Sequence, residues 1–425
     1  MSATQISSLN VDALREDFPI LRQKASSGMP LVYLDNAAST QHPQVVIDAI
    51  SDCYRNYYAN VHRGIHTMSE ASTHAYEKAR EVVADFLHAS SLREVIFAAG
   101  TTAAINTVAR SWGDANVKAG DTILLTLAEH HANIVPWHQL AERTGCKVVF
   151  MPVSDDGTIS DETLRQHLET HRPKLFAFMA VSNVLGTEFP VTKWVKIAHA
   201  LGATVLVDAA QAAPHMPIDV TQWDADFVVF SGHKVCGPTG IGVLYGKEAI
   251  LAAMPPFLGG GAMIHRVTTE GFEPAELPEK FEAGTPPITE AIGLAAALKY
   301  IKSVGLEAIH EHEKLLVRRA YELLSEIDGV RMFGPPPDQR AGILSFVVED
   351  VHAHDVSQWL DTRGIAVRAG HHCAMPLHKR FGVSATSRAS FYLYNTLDEV
   401  TAFADAVREV REKFARTGRK RTRSR

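Results

Sequence analysis

Cysteine is scarce in this chain. Its four residues, Cys53, Cys146, Cys236 and Cys373, lie far apart with no CxxC pair, which excludes a disulfide framework or a zinc ribbon. Free thiols in a reducing cytoplasm are the natural reading, so a cytoplasmic protein is expected. Long apolar runs are missing too. None approaches the roughly 20 residues of a membrane span, and Met1 to Phe18 has no basic stretch leading into an apolar one, as a secretory leader would. No charge sign is in large excess. A net charge of -6 points to neither nucleic-acid binding nor a disordered chain. Low-complexity linkers and internal repeats are also absent. What remains is ordinary globular composition, 46% hydrophobic and 21% charged, in 425 residues, enough for two or three full-sized cores.

Short apolar runs punctuate the middle of the chain: Thr122 to Leu127, Lys147 to Met151, Leu175 to Val181, Thr204 to Val207 and Phe227 to Phe230. Segments able to hold a helix, such as Val191 to Leu201, separate them. This alternation predicts βαβ units and an α/β fold with a mainly parallel sheet covered on both faces. Ligands bind such sheets beyond the carboxyl ends of the strands. Polar residues gather there: Glu129-His130-His131, Ser182-Asn183, Asp208, and Ser231 to Lys234. Later in the chain, Ile292 to Val304 and Glu307 to Ile327 read as long helices, Gly342 to Val348 as a strand and Ala353 to Gly364 as a helix. They predict a smaller C-terminal α/β domain. The expected division is an N-terminal segment over 1–30 packing with the small domain, a large domain over 31–295, and a small domain over 296–414. A basic tail over 415–425 is expected to be disordered and receives no function.

Ser231-Gly232-His233-Lys234 follows the apolar run Asp226 to Phe230. A lysine at the end of a buried strand is poorly explained by packing, because lysine seldom approaches a core unpaired. Desolvation there makes it an amine nucleophile toward an aldehyde such as pyridoxal 5'-phosphate (PLP). A surface lysine in a Gly/Ser turn is the competing reading. Pyridoxal chemistry also needs an acid beside the pyridine nitrogen, a phosphate cradle and something to hold the ring. Asp208, at the end of Val205-Leu206-Val207-Asp208, suits the acid, or equally a helix N-cap. Gln211 suits a donor to the ring's phenolate oxygen. Gly100-Thr101-Thr102, before the helical stretch Ala103 to Arg110, offers N–H groups and hydroxyls to a phosphate, or simply a cap. His130 suits a ring-stacking partner or a solvated histidine.

Read together, these residues resemble the class V, fold-type I PLP enzymes, and within them the group II (SufS-like) cysteine desulfurases. The densest blocks are Val61 to His66, Glu129 to Trp137, Val181 to Thr187, Ser231 to Lys234 and Arg368 to Leu377, and the match runs from Tyr33 to Arg388. The resemblance implies a large domain built on a mainly parallel seven-stranded sheet. It implies that Lys234 carries PLP as a Schiff base, that Asp208 and Gln211 contact the ring, and that His130 stacks on it. Thr101, Thr102, Ser231 and His233 belong to the phosphate site. Thr285 reaches the phosphate of a neighbouring subunit, which implies a homodimer with shared active sites. Asn183 and Arg388 hold the substrate carboxylate, with Arg368 as a second candidate. No metal site is expected.

Cys373, in the polar loop Arg368 to Pro376, is the distinguishing residue. Its neighbours include His371 and His372, and positive neighbours favour the nucleophilic thiolate. The resemblance implies that Cys373 takes sulfur from L-cysteine as a persulfide, releasing L-alanine and supplying sulfur for iron–sulfur cluster assembly. The compact loop implies a dedicated acceptor of the SufE or SufU kind. His352 and His354 bear on that choice, since a histidine in this segment can bind metal in SufU complexes; a solvated loop is preferred here. Cys236 is read as a packed thiol. Selenocysteine lyase is the close rival on the same scaffold. A non-catalytic scaffold subunit is disfavoured, since a binding module needs none of Lys234, Asp208, His130 and Arg388 together.

Overall fold

The computed structural model describes residues 9–422, with side chains over 9–414. Residues 1–8 of the expected N-terminal segment and 423–425 of the expected tail lie outside the described residues. The main sheet has seven strands. In spatial order they are Val95–Ala98, Gly242–Gly246, Phe227–Ser231, Thr204–Asp208, Leu175–Met179, Thr122–Thr126 and Lys147–Met151. The last five are mutually parallel, and Gly242–Gly246 runs antiparallel to both its neighbours.

Burial on both faces explains why the four inner parallel strands read as continuous apolar runs. Alternate side chains point to opposite faces. Phe176, Phe178, Val205, Val207, Val228 and Phe230 therefore join one core, while Leu175, Ala177, Leu206, Phe227 and Val229 join the other. On the first face Phe176 and Phe178 stack at 4.7 Å, and Trp194 from the Val191–Ala200 helix packs against Phe178 at 5.3 Å. Helices Thr67–Leu87 and Ile288–Val304 cover the same face. Helices Thr101–Val108 and Val135–Thr144 cover the other. Strand Gly242–Gly246 escapes the apolar-run reading because glycine stands at both its ends, and Val95–Ala98 because it is only four residues long.

A second sheet has four antiparallel strands in the order Val330–Phe333, Ile343–Val348, Thr386–Ser390 and Arg368–Gly370. Its core is shared with helices Leu306–Ser325, Ala353–Thr362 and Leu397–Thr422. The expected domain boundary at 295/296 falls inside the unbroken helix Ile288–Val304. The chain turns instead at Gly305, whose φ of +97° a side-chain-bearing residue would resist. The last helix extends to Thr422, where a disordered tail is expected from 415. Lys and Arg are good helix formers. The N-terminal segment is tied at both ends of the fold: Arg15 donates to Tyr394 O at 2.6 Å and to Glu399 at 2.8 Å, while Tyr300 donates to Asp17 at 2.8 Å. Among the described residues no helix is long and apolar enough to cross a membrane.

Gly242 sets how closely the edge of the main sheet approaches the turn at Gly100. A Cβ on Gly242 would lie 2.5 Å from Phe230 O and 2.6 Å from Gly100 Cα, both backbone atoms. Gly242→Ala is therefore expected to lower stability by about 1–3 kcal/mol, measured by chemical denaturation, since backbone cannot rotate aside.

Candidate active site

A cavity of about 220 Å³ lies between the carboxyl ends of the parallel strands and the second sheet. From the main-sheet side Thr101, Thr102, His130, Asn183, Asp208, Gln211, Ser231, His233 and Lys234 line it. The second sheet and its loop contribute Arg368, Cys373 and Arg388. Residues more than 250 positions apart in sequence thus share one small space, as strand-end ligation in a parallel sheet requires. Thr285 is the one predicted site residue that this chain does not bring there. It lines a separate cavity of about 370 Å³ with Asn60, His62 and Arg63.

One end of the cavity is built for an anion. Gly100, at φ +108°, turns the chain into helix Thr101–Val108 without a side-chain cap. The first N–H groups of a helix lack intrahelical partners. Thr101 N donates to Ser231 Oγ at 2.8 Å, and the two hydroxyls meet at 2.8 Å, leaving the amides that follow for a bound group. The helix dipole there favours negative charge.

Lys234 ends a tight turn over Gly232–Lys234 that follows the Phe227–Ser231 strand. Gly232 is required there, because a Cβ would meet Pro238 O and Ile241 Cγ2, each at 2.9 Å. The turn is pinned by Gly232 N donating to Ile241 O at 2.9 Å and by Thr40 N donating to His233 O at 3.0 Å. Burial pulls Lys234 down to about 8, partly offset by the Asp208 carboxylate. Burial also raises Asp208, whose Oδ1 accepts from Ala210 N at 2.9 Å. A cationic pyridine nitrogen would return Asp208 to its charged form. Burial, then Lys234, holds His130 at about 3, so its ring is neutral. Ala132 N donates to His130 Nδ1 at 3.0 Å, which puts the ring proton on Nε2. His233 is lowered to about 4 by burial and by Lys234. Gln211 donates to Ala37 O at 2.7 Å, and its buried Oε1 has no partner. A desolvated amine, a strand-end carboxylate and an anion cradle fit PLP.

Arg368 and Arg388 are directly opposed on adjacent antiparallel strands, so their side chains leave the same face of the second sheet. Arg388 is buried and donates to Asn183 O at 2.8 Å and to Asp35 Oδ1 at 3.2 Å. Its Nε has no partner, which leaves one edge of the guanidinium for a carboxylate. Arg368 is exposed. Cys373 is half-buried, whereas the other three cysteines are buried. His372 and Cys373 both adopt left-handed backbone, at φ +48° and +58°, a strained geometry that neighbouring contacts must maintain. Asn183 Nδ2 supplies one by donating to His372 O at 2.8 Å. Cys236 is a packed thiol, pushed up to about 12 by burial. His352 accepts from His354 N at 3.2 Å and so caps helix Ala353–Thr362, a role beyond that of a solvated loop. Among the described residues no group of three His, Cys, Asp or Glu is placed to hold a metal ion.

Sequence reasoning assigned no role to Asp35 or Glu129. Asp35 is the counter-ion of Arg388, raised by burial and lowered by that arginine. Glu129 is fully buried and raised to about 8 by burial. It accepts from Asn133 Nδ2 at 2.8 Å and Met179 N at 3.3 Å, bracing the turn that carries His130. The available signal was that Asp35 stands near the start of the match at Tyr33 and Glu129 inside the block Glu129 to Trp137.

The lowered Lys234 fixes a pH dependence. A lysine gains its neutral, nucleophilic form as pH rises through its pKa. Near pH 7.5 an amine of pKa about 8 is roughly one-quarter neutral, against about one-thousandth at the ordinary 10.4. The rate at which apoprotein takes up PLP, followed by its visible absorbance, is expected to rise with a midpoint near 8. A midpoint near 10.4 would contradict the burial argument.

Known proteins resemble this chain in sequence and fold. Residues 32–403 match the aminotransferase class-V family. The chain is 50% identical over 406 residues to a probable cysteine desulfurase of Halalkalibacterium halodurans, covering 96% of this chain and 99% of the relative. It is 47% identical over 419 residues to a cysteine desulfurase of Haloferax volcanii, covering 96% and 98%. Among solved structures, the apo cysteine desulfurase of Thermococcus onnurineus superimposes with a TM-score of 0.90 at 40% identity, covering 97% of this chain and 100% of that one. The Escherichia coli cysteine desulfurase CsdA, in an S-sulfonic acid form, gives 0.88 at 40% identity, covering 96% and 99%. With the site geometry, these likenesses place the chain in the class-V aminotransferase family, in its PLP-dependent cysteine desulfurase branch.

Proposed function

We propose that this protein is a group II, SufS-like L-cysteine desulfurase that converts L-cysteine to L-alanine and retains the sulfur as a persulfide on Cys373. The observation that carries this reading is the convergence of Cys373, Lys234 and Arg388 on one cavity from two sheets. Arg388 and Asn183 hold the substrate carboxylate and thereby orient Cα toward Lys234. PLP, when bound, supplies the electron sink that loosens bonds to Cα and the bond to sulfur. Lys234, depressed by burial, moves a proton at substrate Cα near neutral pH. His130 stays neutral and presents Nε2–H to the cavity. Cys373 Sγ attacks the substrate sulfur, whose bond to Cβ breaks with its electrons left on carbon. The thiol proton is lost and carbon is protonated, so cysteine plus thiol balance alanine plus persulfide.

The sharing of sites in a homodimer is part of the proposal. It is supported by the position of Thr285 outside this chain's own cavity and by exposed apolar side chains such as Ile65, which is 96% exposed. A short, held Cys373 loop supports delivery to a SufE-type acceptor (or a SufU-type one), with cluster-assembly proteins downstream. L-Selenocysteine fits the same site, because its weaker carbon–selenium bond asks less of Cys373.

Alanine release from L-cysteine, measured with and without SufE-type and SufU-type acceptors, tests the reading. Acceptor is expected to stimulate release, and Cys373→Ala to reduce it to background while sparing bound PLP absorbance. Full turnover by Cys373→Ala would refute the nucleophile; stimulation by neither acceptor would refute the partner.

A further inference from the structure

The proposed chemistry leaves His131 without a task, although it adjoins the ring-holding His130. The structure assigns it one, and the assignment rests on Cys373 as the sulfur-accepting nucleophile. We propose that His131 is a positioning residue, a two-point clasp that holds the Cys373 loop at a fixed reach from the cavity.

Its backbone N–H donates to Cys373 O at 2.7 Å, and its ring Nε2 accepts from Met375 N at 3.1 Å. One residue thus grips the loop on the nucleophile and again just beyond it. Because Met375 N donates to Nε2, the neutral ring must carry its proton on Nδ1. The clasp is mounted on a braced turn. Glu129, buried beneath it, accepts from Asn133 and Met179, while Asn133 Oδ1 accepts from the indole of Trp137 at 2.9 Å. Asn133 N donates to His130 O at 2.8 Å and Ile134 N to His131 O at 3.1 Å, which closes the turn. A third grip comes from Asn183 Nδ2 on His372 O at 2.8 Å.

These bonds have something to restrain. His372 and Cys373 occupy consecutive left-handed conformations that side-chain-bearing residues resist, so the loop reverts to another path unless held. Burial and the nearby His371, whose ring centroid is 5.6 Å away, lower His131, which keeps it an acceptor at neutral pH. The block over residues 129–134 therefore does two tasks at once. It presents His130 to the cofactor site and sets the distance of Cys373 from that site through His131.

The test compares holoenzyme with His131→Ala and with His131→Gln, whose amide oxygen can stand in for Nε2. One readout is the alkylation rate of Cys373 by iodoacetamide, selective because Cys53, Cys146 and Cys236 are buried. The other is hydrogen exchange at the Met375 amide. Loss of one neutral hydrogen bond corresponds to about a fivefold change. His131→Ala is expected to speed both readouts by about that factor, and His131→Gln to return them close to the parent. Unchanged rates in a folded, PLP-bound His131→Ala would overturn the clasp, as would failure of His131→Gln to restore them. If His131→Ala does not fold, His131→Asn, too short to reach Met375 N, takes its place with the same expected and overturning results. Persistence of cysteine turnover in Cys373→Ala would instead sink the nucleophile assignment, leaving the clasp measurements interpretable by themselves.

Discussion

The hydrogen bond from the buried Arg388 guanidinium to Asn183 O, at 2.8 Å, is the constraint on which the site depends. A buried cation must be paired or solvated by protein dipoles, and losing one partner leaves a costly unpaired charge. Arg388 meets that demand by reaching from the second sheet to the end of a main-sheet strand, with Asp35 as its counter-ion. Asn183 then gives one of its two amide hydrogens to His372 O. A single chain of contacts therefore joins the two sheets, the Arg388 guanidinium and the loop that carries Cys373. Displacement of any member shifts the other two.

Desolvation supplies the chemistry of that junction. The same burial lowers Lys234 to about 8, keeps His130 neutral and raises Glu129 to about 8. In each case the uncharged form gains because burial strips water from the group. Opposite charge moderates the effect where it helps the reaction, as between Lys234 and Asp208. It is absent where a neutral group serves, as at His130, which faces the positive charges of Lys234, Arg388 and Arg368. Strand-end placement thus yields an amine that is reactive near neutral pH and a ring that does not compete with it for protons.

Much of this was legible in the residues. The runs Thr122 to Leu127 and Phe227 to Phe230 coincide closely with strands because double-sided burial demands unbroken apolar sequence. Helix Ile288–Val304 was read as starting at Ile292, because the first turn after Pro287 carries Thr289 and Glu290 and dilutes the apolar pattern. Strand Gly242–Gly246 was invisible for a different reason: Gly242 leaves room for neighbouring backbone and fills no core. Asp35 and His131 gave no individual signal, since their partners lie over 200 residues away.

The sequence by itself determined the fold class, through its apolar runs, and the cofactor, through its resemblance to the class-V enzymes. A glycine-led helix start and a lysine or aspartate at a strand's end accord with that cofactor, but taken one at a time they suit a cap or a surface turn equally well. Only the tertiary structure decided which groups meet. It set the opposed register of Arg368 and Arg388, left Thr285 outside its own chain's cavity, and put the Cys373 loop in the grip of His131 and Asn183. Those outcomes depend on packing between distant segments, where a hydrogen bond of about 3 Å is set by two sheets and no local pattern encodes it.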